Sequence, residues 1–195
     1  MTSTPAVESV VLLDDDGHAV GTMDKRAVHH QETPLHLAFS CYVFDDATNV
    51  LVTRRALHKA TFPGEWTNSC CGHPAPGEPV EDAVRRRVLQ ELGITLDDLR
   101  LLLPQFRYRA STADGIVENE MCPVYAATTR ATVRPDPDEV ADAVWEPWPD
   151  FRAAVLAGSR PVSSWCREQV ALLPADPVTA PARPDVELPF AARPS

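Results

Sequence analysis

The chain has 195 residues, 44% of them apolar, and a formal charge of −10 from 28 acidic and 18 basic side chains. That size and apolar share suit one domain able to bury a full core, while the acidic balance argues against nucleic acid, whose phosphates favour a basic footprint. The sequence shows neither an apolar run long enough to span a bilayer nor a basic-then-apolar leader, so the expectation is a cytoplasmic protein.

In chain order, residues 7–13 read as a short strand that runs into a turn at Asp14-Asp15-Asp16-Gly17. Residues 37–44 and 50–53 are β-rich runs on either side of Asp45-Asp46-Ala47-Thr48-Asn49, the pattern of a hairpin. Pro63-Gly64 and Pro74-Ala75-Pro76-Gly77 mark loops. Over residues 79–92 the period becomes helical: Val80, Ala83, Val84, Val88 and Leu92 recur on one face, Pro79 suits the first turn and Gly93 the stop. Strand-like segments follow at residues 101–109, 115–127 and 140–146, and residues 151–156 and 163–173 read as short helices. This order predicts an α+β fold, built as a sandwich with helices outside the strands. From Pro174 onward six of 22 residues are proline with almost no periodicity, which predicts a domain over residues 1–173 and a disordered or loosely packed tail over 174–195.

Five cysteines (Cys41, Cys70, Cys71, Cys122, Cys166) form an odd, irregular set with two adjacent in sequence, so free thiols are expected rather than a disulfide framework. Two segments concentrate the chemistry. Thr67-Asn68-Ser69-Cys70-Cys71-Gly72-His73-Pro74 offers a thiol two residues from an imidazole, in a run too polar and too broken by Gly and Pro to be core. Ile116-Val117-Glu118-Asn119-Glu120-Met121-Cys122-Pro123 places two carboxylates at i and i+2, which a strand points to one side. A thiol, a carboxylate pair and imidazoles suit acid–base chemistry beside a bound metal, and a small anionic ligand remains compatible with the charge, because a local Arg/Lys pocket outweighs a distant acidic surface.

Between the two segments, residues 72–94 can be written G-x5-E-x7-R-R-V-L-Q-E-L-G-I, from Gly72 and Glu78 through Arg86, Arg87, Val88, Leu89, Gln90, Glu91, Leu92, Gly93 and Ile94. The run reads equally as an ordinary amphipathic helix with a solvated arginine face, but it also resembles the Nudix box, a loop–helix–loop that holds Mg²⁺ against a diphosphate. Arg87 and Gln90 stand where that box has metal-binding glutamates, and only Glu91 remains. Hard Mg²⁺ takes oxygen ligands, so this departure weakens the hydrolase reading while keeping the fold.

With His29, Leu35-His36-Leu37-Ala38-Phe39, Thr53-Arg54-Arg55-Ala56, Gly64-Glu65-Trp66-Thr67-Asn68-Ser69, Cys71-Gly72-His73-Pro74, Phe106-Arg107-Tyr108-Arg109 and Glu118-Asn119-Glu120 added, the chain from about residue 10 to 165 is similar to the type 1 isopentenyl-diphosphate isomerases, a Nudix-fold family. The resemblance implies an α/β/α sandwich with a mixed sheet, and interconversion of isopentenyl and dimethylallyl diphosphate through a tertiary carbocation, in isoprenoid precursor biosynthesis. It implies Cys71 and Glu120 as the two proton-transfer groups, Tyr108 as a hydroxyl beside that glutamate, and Trp165 as an aromatic facing the cation. It implies a Mn²⁺ or Zn²⁺ site of His29, His36, His73, Glu118 and Glu120, with His30 a rival for His29. A second ion, Mg²⁺, falls to Glu91 with the Cys71 backbone carbonyl as a candidate further ligand, and the diphosphate to Lys25, Arg55, Lys59 and Arg87. Cys70 is the rival thiol, occupying a position where the family often has an aliphatic residue. His18 and His58 are read as surface groups. A Nudix diphosphate hydrolase and a catalytically silent binding module are the other readings.

Overall fold

The computed structural model of the protein describes residues 8–194. Twelve strands and three α-helices follow one another: β1 (Ser9–Leu13), β2 (Ala19–Asp24), β3 (His36–Leu37), β4 (Phe39–Phe44), β5 (Asn49–Arg55), β6 (Trp66–Thr67), β7 (Cys70–Gly72), α1 (Val80–Leu92), β8 (Asp98–Leu103), β9 (Arg107–Ser111), β10 (Val117–Met121), β11 (Val124–Thr128), β12 (Val140–Pro147), α2 (Trp148–Leu156) and α3 (Ser164–Leu172). One sheet has the order β2-β1-β3-β10-β9; the other runs β12-β5-β4-β11-β8, with β6 beside β5 and β7 beside β4. Both are mixed: β3 and β10 pair in parallel, as do β4 and β11, and the remaining pairs are antiparallel.

Strand alternation sets the layers. In β4, Phe39, Cys41 and Val43 turn to one face, where they join Val80, Ala83, Val84, Val88 and Leu92 of α1. Tyr42 and Phe44 turn to the other, against Trp148, Phe151 and Val155 of α2 and Trp165, Cys166 and Val170 of α3. In β11, Tyr125 and Ala127 divide from Val124 and Ala126 in the same way. The central sheet is therefore apolar on both faces and covered on both by helices, an α/β/α sandwich of α+β class. Glycine closes α1: Gly93 adopts φ 66° and its N–H bonds the Leu89 carbonyl. No helix among the described residues is long and apolar enough to cross a membrane.

Several boundaries differ from the sequence reading. The run 37–44 is two strands in different sheets, broken at Ala38, and the run 101–109 is likewise split at Pro104 into β8 and β9. The run 115–127 divides into β10 and β11 at Cys122-Pro123. In each case the chain steps from one sheet to the other; the apolar run continues across the step at Ala38, while prolines mark the other two. Strand β2 was not anticipated, because it is an exposed edge strand with no buried face to leave an alternating pattern. Val7, the first residue of the expected opening strand, lies outside the described residues.

The proline-rich segment after Leu173 lies against the domain at a few anchors. Its backbone docks at single points, Arg183 N–H to the Leu101 carbonyl and Ala191 N–H to the Gly17 carbonyl, both at 2.8 Å. Trp148 Nε1 donates to the Ala175 carbonyl at 2.9 Å. Leu188 is only 2% exposed, and it and Ala192 are buried in the apolar cluster that α1 shares. Such a strap needs anchors rather than a repeating face, so it carries no periodicity. Leu188→Ala should therefore cost about 2–5 kcal/mol, the range for truncating a buried leucine, read as a shift in the urea unfolding midpoint; an unchanged midpoint would show that the strap adds nothing to the core.

Candidate active site

Cross-strand registers bring the two chemical segments together. In the first sheet, β10 sets Glu120 beside His36 of β3 on one flank and beside Tyr108 of β9 on the other. In the second sheet, β7 sets Cys71 opposite Ser40 of β4. Because β10 is a strand, Glu118 and Glu120 both reach the Tyr108 hydroxyl, their Oε2 atoms lying 2.8 and 2.9 Å from it. One hydroxyl hydrogen cannot serve two carboxylates, so one of the three groups must carry an additional shared proton or the pair must face a cation. Glu118, Glu120, Tyr108, Cys71, His29, His73 and Trp165 all line one cleft of about 440 Å³.

The ligand atoms of His29, His36, His73 and Glu120 lie within 4.8 Å of one another. Glu120 Oε1 is 3.0 Å from His73 Nε2, 3.4 Å from His36 Nε2 and 3.8 Å from His29 Nε2. The tautomer of His36 is fixed, since its Nδ1 is 2.9 Å from the Pro34 carbonyl, which can only accept. The neutral ring then turns an Nε2 lone pair toward a carboxylate oxygen. His29 Nε2 and His36 Nε2 are buried with no hydrogen-bond partner. Opposed lone pairs and orphaned ring nitrogens around one carboxylate are what a divalent cation would relieve, and the nitrogen–oxygen donor set suits one. Burial works to raise the Glu120 carboxyl, but the three imidazoles gathered around it outweigh that and hold the group well below the usual range. Burial drops His73 to about 4. His30 is exposed and its Nδ1 accepts from the Glu32 N–H, so His29 is the one brought to the cluster. Glu118 stands outside these four; burial and the neighbouring Glu120 charge push its carboxyl up.

The adjacent thiols face opposite ways. Cys70 is buried in the α1-side core, while Cys71 is partly exposed at the edge of the other cluster; both residues border the cleft. Burial raises Cys71 to about 11 against the hydrogen bonds of Ser40 and Asn68, leaving it a neutral thiol. The polar run around it is buried after all: Asn68 and Ser69 are fully enclosed, with their side chains hydrogen-bonded to strands β4 and β5 as well as to neighbours in the run. Ser69 Oγ donates to the Leu51 carbonyl and accepts from the Val43 N–H, at 2.6 and 2.7 Å, which explains how polar residues enter the core here. Trp165 is buried beneath the cleft, stacked on Tyr108 with centroids 5.5 Å apart and met edge-on by Phe62 at 5.1 Å.

The other end of the cleft is charged. Arg87 of α1 reaches Glu91 Oε1 at 2.5 Å and Glu139 Oε1 at 3.3 Å, and Lys59 pairs with Glu139. Lys25 meets Glu8 at 2.6 Å, and Arg55 donates to the Thr61 carbonyl at 2.9 Å. Glycine is required at position 72, because a Cβ there would come within 2.9 Å of both Arg87 Cγ and Phe39 Cζ. Glu78 holds Arg86 through two 2.7 Å bonds, and Arg86 also donates to the His73 carbonyl, tying the box helix to the imidazole loop. Sequence reasoning missed Glu139, Glu8, Ser40 and Gln169. Glu139 lies in an acidic loop without periodicity, Ser40 sits singly among apolar residues and Gln169 follows the charged Arg167-Glu168 pair, so none left a pattern. His18 and His58 are exposed and away from the cleft.

Comparison with known proteins agrees with this geometry. The family model described as NUDIX domain matches residues 34–166. The chain is 61% identical over 175 residues to the isopentenyl-diphosphate Delta-isomerase of Mycolicibacterium vanbaalenii, covering 90% of this chain and 96% of that protein. It is 53% identical to the protein of the same name from Saccharopolyspora erythraea, covering 95% and 97%. Among solved structures, DR0079 of Deinococcus radiodurans shares the fold at a TM-score of 0.65 and 20% identity, over 84% of this chain and 98% of that one. The MutT NUDIX hydrolase of Burkholderia pseudomallei does so at 0.56 and 24%, over 72% and 98%.

Arg87 neutralises two carboxylates at a buried position. Arg87→Ala should cost about 3 kcal/mol, because it leaves buried charge without its partner, and Arg87→Lys should recover part of the loss; equal urea midpoints for Arg87→Ala and the parent protein would contradict this ion-pair network.

Proposed function

The chain belongs to the NUDIX family and, within it, to the isopentenyl-diphosphate Delta-isomerases, and from that premise we propose how its residues interconvert isopentenyl and dimethylallyl diphosphate. The observation that carries the reading is a thiol from one sheet and a carboxylate–phenol pair from the other lining a single cleft whose far end is basic. Moving the double bond requires a proton added at the terminal carbon and a proton lost from the carbon on the other side of the branch point, with a tertiary cation between. Glu120, with Tyr108 holding its second oxygen, and Cys71 are the two groups for those transfers. The reaction is reversible, so the group that gives up a proton in one direction regains it in the other.

Trp165 would present its π face to the cation, worth about 2 kcal/mol where water is excluded. Phe62 and Tyr108 wall that ring, and a closed apolar pocket keeps water from trapping the cation as an alcohol. Lys25, Arg55, Lys59 and Arg87 would take the diphosphate, the arginines through paired N–H donors. His29, His36, His73 and Glu120 would hold Mn²⁺ or Zn²⁺, with Glu118 next to them, and Glu91 with the Cys71 carbonyl would hold Mg²⁺ brought by the diphosphate. A divalent ion at the imidazole site would stabilise the carboxylate form of Glu120 and so strengthen it as an acid. Free thiols at all five cysteines suit a reducing cytoplasm.

The hydrolase alternative lacks support in the box. Glu78 is locked to Arg86, and Arg87 and Gln90 supply no carboxylate, so Glu91 stands alone among these box positions and no acidic cluster is left to activate water. The test is incubation with isopentenyl diphosphate and Mg²⁺ in D₂O, followed by NMR. Deuterated dimethylallyl diphosphate is the expected product; release of inorganic phosphate or diphosphate with no allylic product would overturn the reading.

A further inference from the structure

A buried polar chain ends on the Cys71 sulfur. Tyr42, Gln169, Ser40 and Asn68 are each wholly inaccessible to solvent. In the amide orientations this structure shows, the hydrogens run in one direction along the chain. The Tyr42 hydroxyl donates to Gln169 Oε1 at 3.0 Å, so the Gln169 amide turns its NH₂ to Ser40 Oγ, which accepts at 2.9 Å. With that position filled, the Ser40 hydrogen has two sulfurs to choose between, Cys71 Sγ at 3.4 Å and Cys122 Sγ at 3.3 Å. On the opposite side, Asn68 Nδ2 spends both hydrogens on the Cys41 and Cys70 carbonyls, at 3.1 and 2.9 Å. Its Oδ1 is thereby turned to the Thr67 hydroxyl at 2.9 Å and to Cys71 Sγ at 3.2 Å, and it can only accept.

We propose that Ser40 and Asn68 are positioning residues for the Cys71 thiol, Asn68 drawing its hydrogen to one side and Ser40, oriented by Gln169, donating to the sulfur from the other. The inference rests on Cys71 being a proton-transfer group. The cradle suits such a group because it offers a partner in both states: the thiol has an acceptor in Asn68, and the sulfur that has given up its proton keeps a donor in Ser40. It also fixes the rotamer, so the remaining sulfur lone pair is aimed rather than free to turn. The Thr67 hydroxyl, 2.9 Å from Ser163 Oγ, links the same Asn68 to the cap of α3, the helix that carries Trp165.

The test compares Ser40→Ala, Gln169→Leu, Cys122→Ala and Cys71→Ala in the full chain, with kcat and KM for isopentenyl diphosphate under saturating Mg²⁺ and the Tm of each variant. Ser40→Ala and Gln169→Leu should lower kcat about tenfold with KM held within about twofold, the signature of a contact that matters in the transition state. Cys122→Ala, which removes only the competing acceptor, should keep the parent kcat. If Ser40→Ala and Gln169→Leu keep the parent kcat while Cys71→Ala is inactive, the cradle is refuted and the thiol's role stands. If their kcat falls only in step with a lost Tm and a raised KM, the chain is merely structural and the proposal fails. Parent-level turnover by Cys71→Ala would remove the premise itself.

Discussion

A single carboxylate oxygen, Glu120 Oε1, faces three buried or half-buried imidazoles within 3.8 Å, and the site is arranged around that contact. His36 is held with its lone pair toward the oxygen by the Pro34 carbonyl behind it, and His73 comes from the loop that Arg86 tethers to α1. Glu120 itself is pinned from the far side by Tyr108. Burying an anion and several ring nitrogens together is costly unless a cation completes the set. The same requirement explains why the strands meet as they do. The parallel β3–β10 pair and the antiparallel β9–β10 pair each deliver one partner of Glu120 by direct cross-strand contact, so sheet register places His36 and Tyr108, while His29 and His73 come from loops.

The basic end of the cleft follows a different logic, that of charge held in balance until a ligand arrives. Lys25, Lys59 and Arg87 are each already paired, with Glu8, Glu139 and Glu91 respectively. An unpaired cluster of cations would repel itself, whereas paired cations can exchange a protein carboxylate for a phosphate oxygen at modest net cost. Replacement of the hydrolase box glutamates by Arg87 and Gln90 fits this picture. On the proposed reading, the helix that would cluster acidic side chains for a water-activating metal would instead contribute a cation toward the diphosphate, and the proposed proton-transfer groups lie on strands β7 and β10.

Much of the site was legible in the sequence because strand and helix spacings translate directly into faces. Glu118 and Glu120 at i and i+2 share a side, and the α1 apolar positions pack as their period requires. Cys71 separates from Cys70 for the same reason, since adjacent strand residues face opposite layers. What could not be read was whatever depends on contacts distant in sequence. Ser40 meets Cys71 only through the β4–β7 register, and Glu139 meets Lys59 and Arg87 only through the loop before β12. The sheet-switching break at Ala38 leaves the apolar run intact, so it looked like a single strand. The proline-rich strap is hard to read for a related reason: a segment anchored by Leu188, Ala192 and a few backbone hydrogen bonds carries no repeating pattern.

The most direct measurement is X-ray absorption at the metal edge of the protein loaded with one equivalent of Zn²⁺. If Glu120 and its three imidazoles form the metal centre, the spectrum will show a nitrogen and oxygen shell with the multiple scattering of three imidazole rings, and His36→Ala will lose one of them. An oxygen-only shell without imidazole scattering would place the ion elsewhere and contradict the arrangement on which the proton-transfer pair is built.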